Sequence, residues 1–402
     1  MAKKSAILVL NAGSSSLKFS VFRQSSDSVE LETLLSGQVS GIGSTAKFEA
    51  KGADRRSLAE HVWDDKDSLC RDTLLLYVLR WIQSSLIDDD IVAVGHRVVH
   101  GGQSLDRPMP VTQDLLEELY GLIPLAPLHQ PHNLAPMRIL GKSYPDLEQV
   151  ACFDTAFHRN QPWVARTFAL PQELTNEGVC SYGFHGLSYE YVTKHLLDIR
   201  PDLADKHIVI CHLGNGSSIC AVKGGRSMDT SMGFSALDGL PMGTRTGSID
   251  PGVILYLMRE KQMGLDELED LLYRRSGLLG VSGLSNDMKI LQESDEPQAA
   301  QAVELFCFRV AKEIAALASS MGGFDALVFT AGIGENSPQI RSMISERLAW
   351  LGVKISAEAN AGKAFDISGV DSKVPVFVVP TNEELMIAKH TISVLGQRMG
   401  EA

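Results

Sequence analysis

The chain has 402 residues, 44% hydrophobic and 21% charged, which is the composition of a globular protein too long for one compact core, so two domains are expected. A formal charge of −12 argues against a nucleic-acid binder, which would normally show a basic face, and no apolar run reaches the roughly 18 residues that span a bilayer. The six cysteines (70, 152, 180, 211, 220, 307) form no C-x-x-C pair and no zinc spacing, and several sit in apolar segments, which reads as reduced, buried thiols of a cytoplasmic protein.

The N-terminal Met-Ala-Lys-Lys leads into Ile7–Leu10, an apolar run too short for a signal segment. That run enters a polar turn, Asn11-Ala-Gly13-Ser-Ser-Ser16, and a second alternating segment, Leu17 to Phe22, follows: strand, tight turn, strand. Gly13 permits φ > 0, so the turn can gather backbone N–H groups into an anion nest. Its serines add donors, and Asn11 offers a side-chain carbonyl to a hard cation. Residues 24–70 are polar, with short alternating segments such as Val29 to Leu35, and predict further strands of the first sheet. Asp72 to Leu86 has helical spacing, Ile91 to Gly95 reads as a short buried strand, and Asp114 to Gly121 as a helix. Ile123 to Pro136 is proline-punctuated and predicts an ordered loop.

Gln149 to Phe153 is another strand with Asp154 at its end, a common place for functional carboxylates in α/β sheets. A helix is expected from Ser188 to Leu197. The strand-turn-strand scheme then recurs in Ile208–Val222, around His212-Leu-Gly214-Asn-Gly216. Helices are predicted over Pro251–Arg259, Leu265–Tyr273 and, longest, Gln298–Met321. A third strand, Ala326–Thr330, runs into Gly332-Ile-Gly334-Glu-Asn336 and a helix. A strand from Val374 to Val379 and a helix from Leu385 to about Leu395 end the chain, with Thr381 or Asn382 as cap and Glu383 and Glu384 in the first turn. Three widely separated strand-to-glycine turns point to a duplicated fold whose loops meet a phosphate-bearing ligand.

Phosphoryl transfer needs phosphate cradles, cation ligands, positive groups at the transferring phosphoryl and an acceptor site. Arg97 within Gly-His-Arg, Arg245 among glycines, and Asp154 are the side chains best suited to it. Among the histidines, His129 and His185 stand out by their Pro- or Gly-flanked loops.

These residues fall in segments that together resemble the acetate kinase family over nearly the whole chain: LVLNAGSSSLK (Leu8 to Lys18), GHRVVHG (Gly95 to Gly101), LAPLH (to His129), FDTAFH (with Asp154), YGFHG (with His185), HLGNG, MGTRTG (with Arg245), GIGEN and PTNEE. That family is grouped with sugar kinases, Hsp70 chaperones and actin. The resemblance implies an α/β fold: duplicated ribonuclease H-like (actin-like ATPase) domains, each on a central mixed sheet, with an interdomain cleft. Residues 1–150 plus 384–402 would form the lobe of the phosphate loop and acyl site, and 151–383 the lobe of nucleotide binding and dimerisation.

The implied activity is reversible ATP-dependent phosphorylation of acetate to acetyl phosphate by direct in-line transfer, with Mg²⁺ (or Mn²⁺) and ATP/ADP as co-substrate, in a cytoplasmic homodimer without nucleic-acid or membrane partners. Carried over, Asn11 and Glu383 would bind the metal. Lys18, Ser14 and Ser16 would meet nucleotide phosphates. His212, Leu213, Gly214, Asn215 and Gly216, then Asp287, Met288 and Lys289, then Gly332, Ile333, Gly334, Glu335 and Asn336 would hold ATP. Arg97 would take the acetate carboxylate in a pocket walled by Val99, Leu128 and Phe184. Asp154, His185, Arg245 and His129 would be catalytic.

The chain departs from the family pattern at Lys289, Gln130, Leu187, Tyr189 and Ala236, where many members have Arg, Asn, Thr, His and Pro. Lys289 lacks the planar stacking of Arg, and Ala236 slightly widens the acyl pocket. A propionate or butyrate kinase of the same family is the near alternative, because one methylene is worth only about 1–3 kcal/mol. An Hsp70-like nucleotide-driven binding module is the alternative from another class; it would require a peptide-binding domain after the core. A sugar kinase would require more polar side chains for hydroxyls.

Overall fold

The computed structural model describes residues 4–24, 31–63 and 70–400, which divide into two units: Met1–Ala156 with Asn382–Ala402, and Phe157–Thr381. The division expected at 150/151 would cut through a strand, Glu148–Phe153, and the final helix begins one residue before the expected 384.

The first unit holds an eight-stranded sheet. Its strands are β1 (Lys4–Ala12), β2 (Ser16–Gln24), β3 (Leu31–Ser40), β4 (Lys47–Gly52), β5 (Ser57–Val62), β6 (Asp89–Val98), β7 (Met109–Pro110) and β8 (Glu148–Phe153), in the order β5-β4-β3-β2-β1-β6-β8-β7. β1, β2 and β3 form an antiparallel meander, whereas β6 and β8 run parallel to β1. The start of the expected segment Val29–Leu35 lies outside the described residues.

The run Ile7–Leu10 is apolar throughout because both of its faces are buried. Leu8, Leu10 and Ala12 pack with Leu75, Val78 and Ile82 of the helix Arg71–Ser85. The opposite face carries the C-terminal helix Glu383–Gly400, which lies on β1, β6 and β8. Gly95 permits this approach: a Cβ there would stand 2.4 Å from Thr391 Oγ1 and 2.6 Å from Ile387 Cγ2. Asn382 caps the helix, its Oδ1 accepting from the Leu385 amide at 2.9 Å.

The second unit repeats the plan. Its sheet holds β9 (His207–Leu213), β10 (Ser217–Lys223), β11 (Arg226–Thr230), β12 (Ala326–Thr330) and β13 (Val376–Val378), ordered β11-β10-β9-β12-β13. Again an antiparallel meander is followed by two strands parallel to the first. One face packs Val209, Cys211 and Leu213 against the helix Pro297–Ser319; the other packs Ile208 and Ile210 against Val192 and Leu196 of the helix Gly186–Ile199. The order 3-2-1-4-5, counted from each unit's first strand, is thus common to both sheets, and this is the duplicated actin-like ATPase fold.

Three expectations need correction. Ile123–Pro136 is not a loop: a 3₁₀ turn, Ile123–Leu125, precedes the helix Gln130–Ser143. Pro131 sits in its first turn, where no N–H is needed, and the buried Leu134, Met137 and Leu140 offset the bond lost at Pro136. β6 runs past Gly95, so His96 and Arg97 lie within the strand and point to opposite faces. Cys70 is exposed, unlike the other five free thiols.

Candidate active site

Because β1, β6 and β8 run parallel, their C-terminal ends share one edge, and each delivers a polar residue there: Asn11, Arg97 and Asp154. Lys18 is paired with Asn11 across β1 and β2, which puts both side chains on one face. The helix on that face brings in Glu383 at its first residue. The hub is Arg97. Its Nε and Nη2 donate to Asp154 Oδ1 and Oδ2 at 3.1 and 2.5 Å, a forked pair. Its Nη1 donates to Asn11 Oδ1 at 3.2 Å, and Glu383 Oε2 lies 3.7 Å from Nε.

Asp154 is 1% exposed, so this is an ion pair held away from water. Burial opposes the charge on Arg97, but the fields of Asp154, Glu383 and Glu384 outweigh it and raise its pKa above the ordinary value. Burial pushes the Glu383 carboxyl up to about 7; Arg97 pulls it down, while Asp154 and Glu384 push it higher. Arg97, with Lys18 adding less, therefore offsets several crowded carboxylates.

The nest expected at Gly13 forms differently. Gly13 does not adopt positive φ, and its amide is spent on the Ser16 carbonyl at 2.8 Å. The turn is shaped instead by Arg71, which donates from Nη1 to the Gly13 carbonyl and from Nη2 to the Ser14 carbonyl. In a trans peptide the N–H lies opposite the C=O, so this grip turns the Ser14 and Ser15 amides together toward the other side of the loop. No motif in the sequence marks Arg71. Asn133 was also missed. Its Nδ2 donates to the Ala12 carbonyl at 2.6 Å and its Oδ1 accepts from the Val99 amide at 2.9 Å, joining the turn after β1 to the segment after β6. Val99 is buried, while Leu128 and His129 are half-buried, His129 standing before the first residue of the helix Gln130–Ser143.

In the second unit, parallel β9, β12 and β13 likewise end on one edge. The turn His212–Gly216 leaves β9 and is fixed by Ser217, whose Oγ accepts from the Gly214 amide and donates to the Gly214 carbonyl. His185 stacks on His212 at 4.2 Å and 15°. At the end of β12, Ala331 takes φ +64°, and its amide donates to Glu335 Oε1 at 2.8 Å, as does that of Thr381 at 3.0 Å. The Gly332–Asn336 stretch, expected as a turn ahead of a helix, is itself a short helix, Ala331–Asn336, and Glu335 fixes its start with a carboxylate turned inward. Arg341, fully buried, donates to the Gly334 and Glu335 carbonyls beneath it.

Asp287 caps the helix Met288–Glu293 by accepting from the Lys289 amide at 2.8 Å, and the exposed Lys289 Nζ lies 3.8 Å from Glu293. Arg245 donates from Nη1 to the Ala236 carbonyl at 3.0 Å, and Phe184 is buried beside His185 in sequence. The predicted residues therefore gather as two sets: a charged hub in the first unit, and in the second a glycine turn, a short glycine-rich helix and paired imidazoles.

Comparison with known proteins matches the chain to the family described as the acetokinase family over residues 6–389. An acetate kinase of Nitrobacter hamburgensis is 50% identical over 393 residues, covering 98% of this chain and 97% of that protein. One from Methylocella silvestris is 48% identical, covering 97% and 98%. Among solved structures, a propionate kinase from Francisella tularensis aligns with TM-score 0.89 at 37% identity, and an acetate kinase from Porphyromonas gingivalis with TM-score 0.86 at 34%; each alignment covers 97% of this chain and 100% of that chain.

The Glu383 environment has a consequence for stability. The native state binds this proton more tightly than the unfolded chain, whose carboxyl titrates near 4.3. The contribution is full below about pH 4 and is lost as pH rises through about 7. Glu383→Gln is expected to remove that loss and raise the Tm of the ligand-free protein by a few degrees above neutrality. Thermal melts from pH 4 to 8 check this; parallel curves for the two proteins contradict it.

Proposed function

The chain belongs to the acetokinase family, and we propose that its site phosphorylates acetate from ATP, reversibly, by direct in-line transfer. The observation that carries this is the Arg97 hub. A guanidinium has five N–H groups; three are held by Asp154 and Asn11, which leaves two to take a small carboxylate in a forked pair. Val99 and Leu128 supply the apolar side expected around a methyl group.

Acetate is already ionised at neutral pH, so the forward step offers no proton to a base. Asp154 accordingly acts by orienting Arg97 and balancing its charge. His185, Arg245 and His129 stabilise charge on the transferring phosphoryl, and the turn His212–Gly216 and the short helix Ala331–Asn336 hold ATP with Asp287–Lys289. The amides of Ser14 and Ser15, with Lys18 and Ser16, serve phosphate oxygens in the first unit.

The donors fit Mg²⁺ or Mn²⁺. Asn11 and Glu383 both reach the Arg97 guanidinium, so their hard oxygens converge, and Glu383 is a half-buried carboxyl crowded by other carboxylates that a cation would relieve. Among the described residues no three His, Cys, Asp or Glu side chains gather into a metal cage, which suits a Mg²⁺ completed by water and phosphate oxygens. When bound, the cation supplies charge neutralisation on the phosphate oxygens.

A homodimer is part of this reading. The helix Pro251–Glu260 buries none of its residues yet exposes Val253, Leu255, Tyr256 and Met258, an apolar surface suited to a second copy. A cytoplasmic setting fits the ATP requirement and six free thiols. Among the described residues no helix is long and apolar enough to cross a membrane.

Coupled ADP-release assays with acetate, propionate and butyrate test the activity; acetate is expected to be preferred. Val99→Ala should shift the propionate-to-acetate ratio of kcat/KM by up to about tenfold, the scale of one methylene, and an unmoved ratio removes Val99 from the acyl wall. Asp154→Asn should lower kcat by roughly a hundredfold or more, because the forked pair loses its charge, while the pH profile from about 6 to 8 keeps its wild-type shape. An acidic limb in the wild type that disappears in Asp154→Asn would mean that Asp154 transfers a proton. Leu255→Asp should convert the protein to a monomer in light scattering; a variant that remains dimeric places the interface elsewhere.

A further inference from the structure

The ring of His185 is constrained from several sides. Its backbone is left-handed, at φ +57°, an uncommon state for a residue with a Cβ. It stands before the helix Gly186–Ile199 without capping it by side chain, and its ring lies flat on that of His212. Its Nδ1 is 2.8 Å from Ser218 Oγ, and the same oxygen is 2.5 Å from Tyr189 Oη. Tyr189 and Ser218 are both fully buried. What these contacts leave to be decided is where the imidazole proton resides.

Proton counting decides it. The enclosed Tyr189 hydroxyl has one proton, and Ser218 Oγ is the acceptor it reaches. Burial pushes the phenol well above its ordinary pKa, so that proton stays. With Ser218 Oγ accepting from tyrosine, its own single proton is directed to its other neighbour, His185 Nδ1. A nitrogen that accepts carries no proton, and the ring is then neutral with its hydrogen on Nε2. That edge lies beside the glycine turn: a Cβ on Gly216 would stand 3.3 Å from His185 Nε2.

We propose that Tyr189 and Ser218 are positioning residues that hold His185 as the neutral Nε2–H tautomer, so that it offers a hydrogen-bond donor and not a cation at the Gly214–Gly216 turn. The ring lies against the parallel His212 imidazole, whose Nδ1 is engaged 2.8 Å away by Ser188 Oγ, itself 2.8 Å from Thr381 Oγ1. Tyr189 stands where the family resemblance expects His, so the phenol that starts this relay is a feature of this chain. The catalytic consequence rests on the proposed kinase reaction: a neutral donor can stabilise charge developing on the phosphoryl without itself having to be protonated.

The tautomer is measured without substrate, by long-range ¹H–¹⁵N correlation on histidine-labelled protein at neutral pH, with His185→Asn to assign the signals. A protonated Nε2 and a bare Nδ1 are expected in the wild type. An Nδ1–H tautomer or an imidazolium there overturns the proposal, whatever the fate of the variants. Tyr189→Phe should give a mixture of tautomers and lower kcat about tenfold, the worth of one hydrogen bond, with KM for acetate and ATP little changed. Tyr189→His, which restores an N–H donor, should recover both. A Tyr189→Phe protein that keeps the wild-type spectrum also overturns the relay. Absence of acetyl phosphate formation by the wild type would instead count against the proposed reaction and leave the tautomer result standing.

Discussion

The charge on Arg97 is the constraint around which the first unit is arranged. A guanidinium this enclosed is costly unless its donors are matched, and removing one partner from such a pair typically costs about 3–5 kcal/mol. The partners come from places remote in sequence: Asn11 at the end of β1, Asp154 after β8 and Glu383 at the start of the last helix. They can meet only if three strands run parallel and the C-terminal helix closes over them. Gly95 permits that closure, since any side chain there would strike Thr391 and Ile387. The glycine of the Gly-His-Arg motif and its arginine thus serve the same convergence.

The two units apply one topology to different ends. In each, the first strand is central and hairpins into the second, and the later parallel strands end beside that hairpin turn. The first unit places charged side chains at this edge. The second places backbone there, in a glycine turn and a short glycine-rich helix whose shapes are set by Ser217, Glu335 and the buried Arg341. Glycine-rich segments expose amides but do not hold their own shape, so each depends on a polar side chain bonded to its backbone. The turn Ala12–Ser16 follows the same rule, with Arg71 in that part.

Much of this was legible from residue order. Apolar runs ending in Gly, Asn and Ser marked β1, β9 and β12, because strands buried on both faces must be apolar throughout and the turns after them must be polar. Local context singled out Asn11, Arg97, Asp154, His185 and Arg245 as candidates, the family resemblance added Glu383, and the repeated turns announced the duplication. Local sequence likewise sets the cap of the last helix, where Asn382 bonds the amide three residues on.

Other features depended on tertiary structure. Gln130–Ser143 is helical despite Pro136 because burial of Leu134, Met137 and Leu140 outweighs local propensity. Arg71, Asn133 and Ser218 carry no motif; each matters through a partner at least 33 residues away, and such pairings leave no trace in local periodicity. The proton on His185 is the extreme case. Sequence supplies a histidine and a tyrosine four residues apart, but only the fold interposes Ser218 between them, and that one hydroxyl determines which nitrogen is the donor.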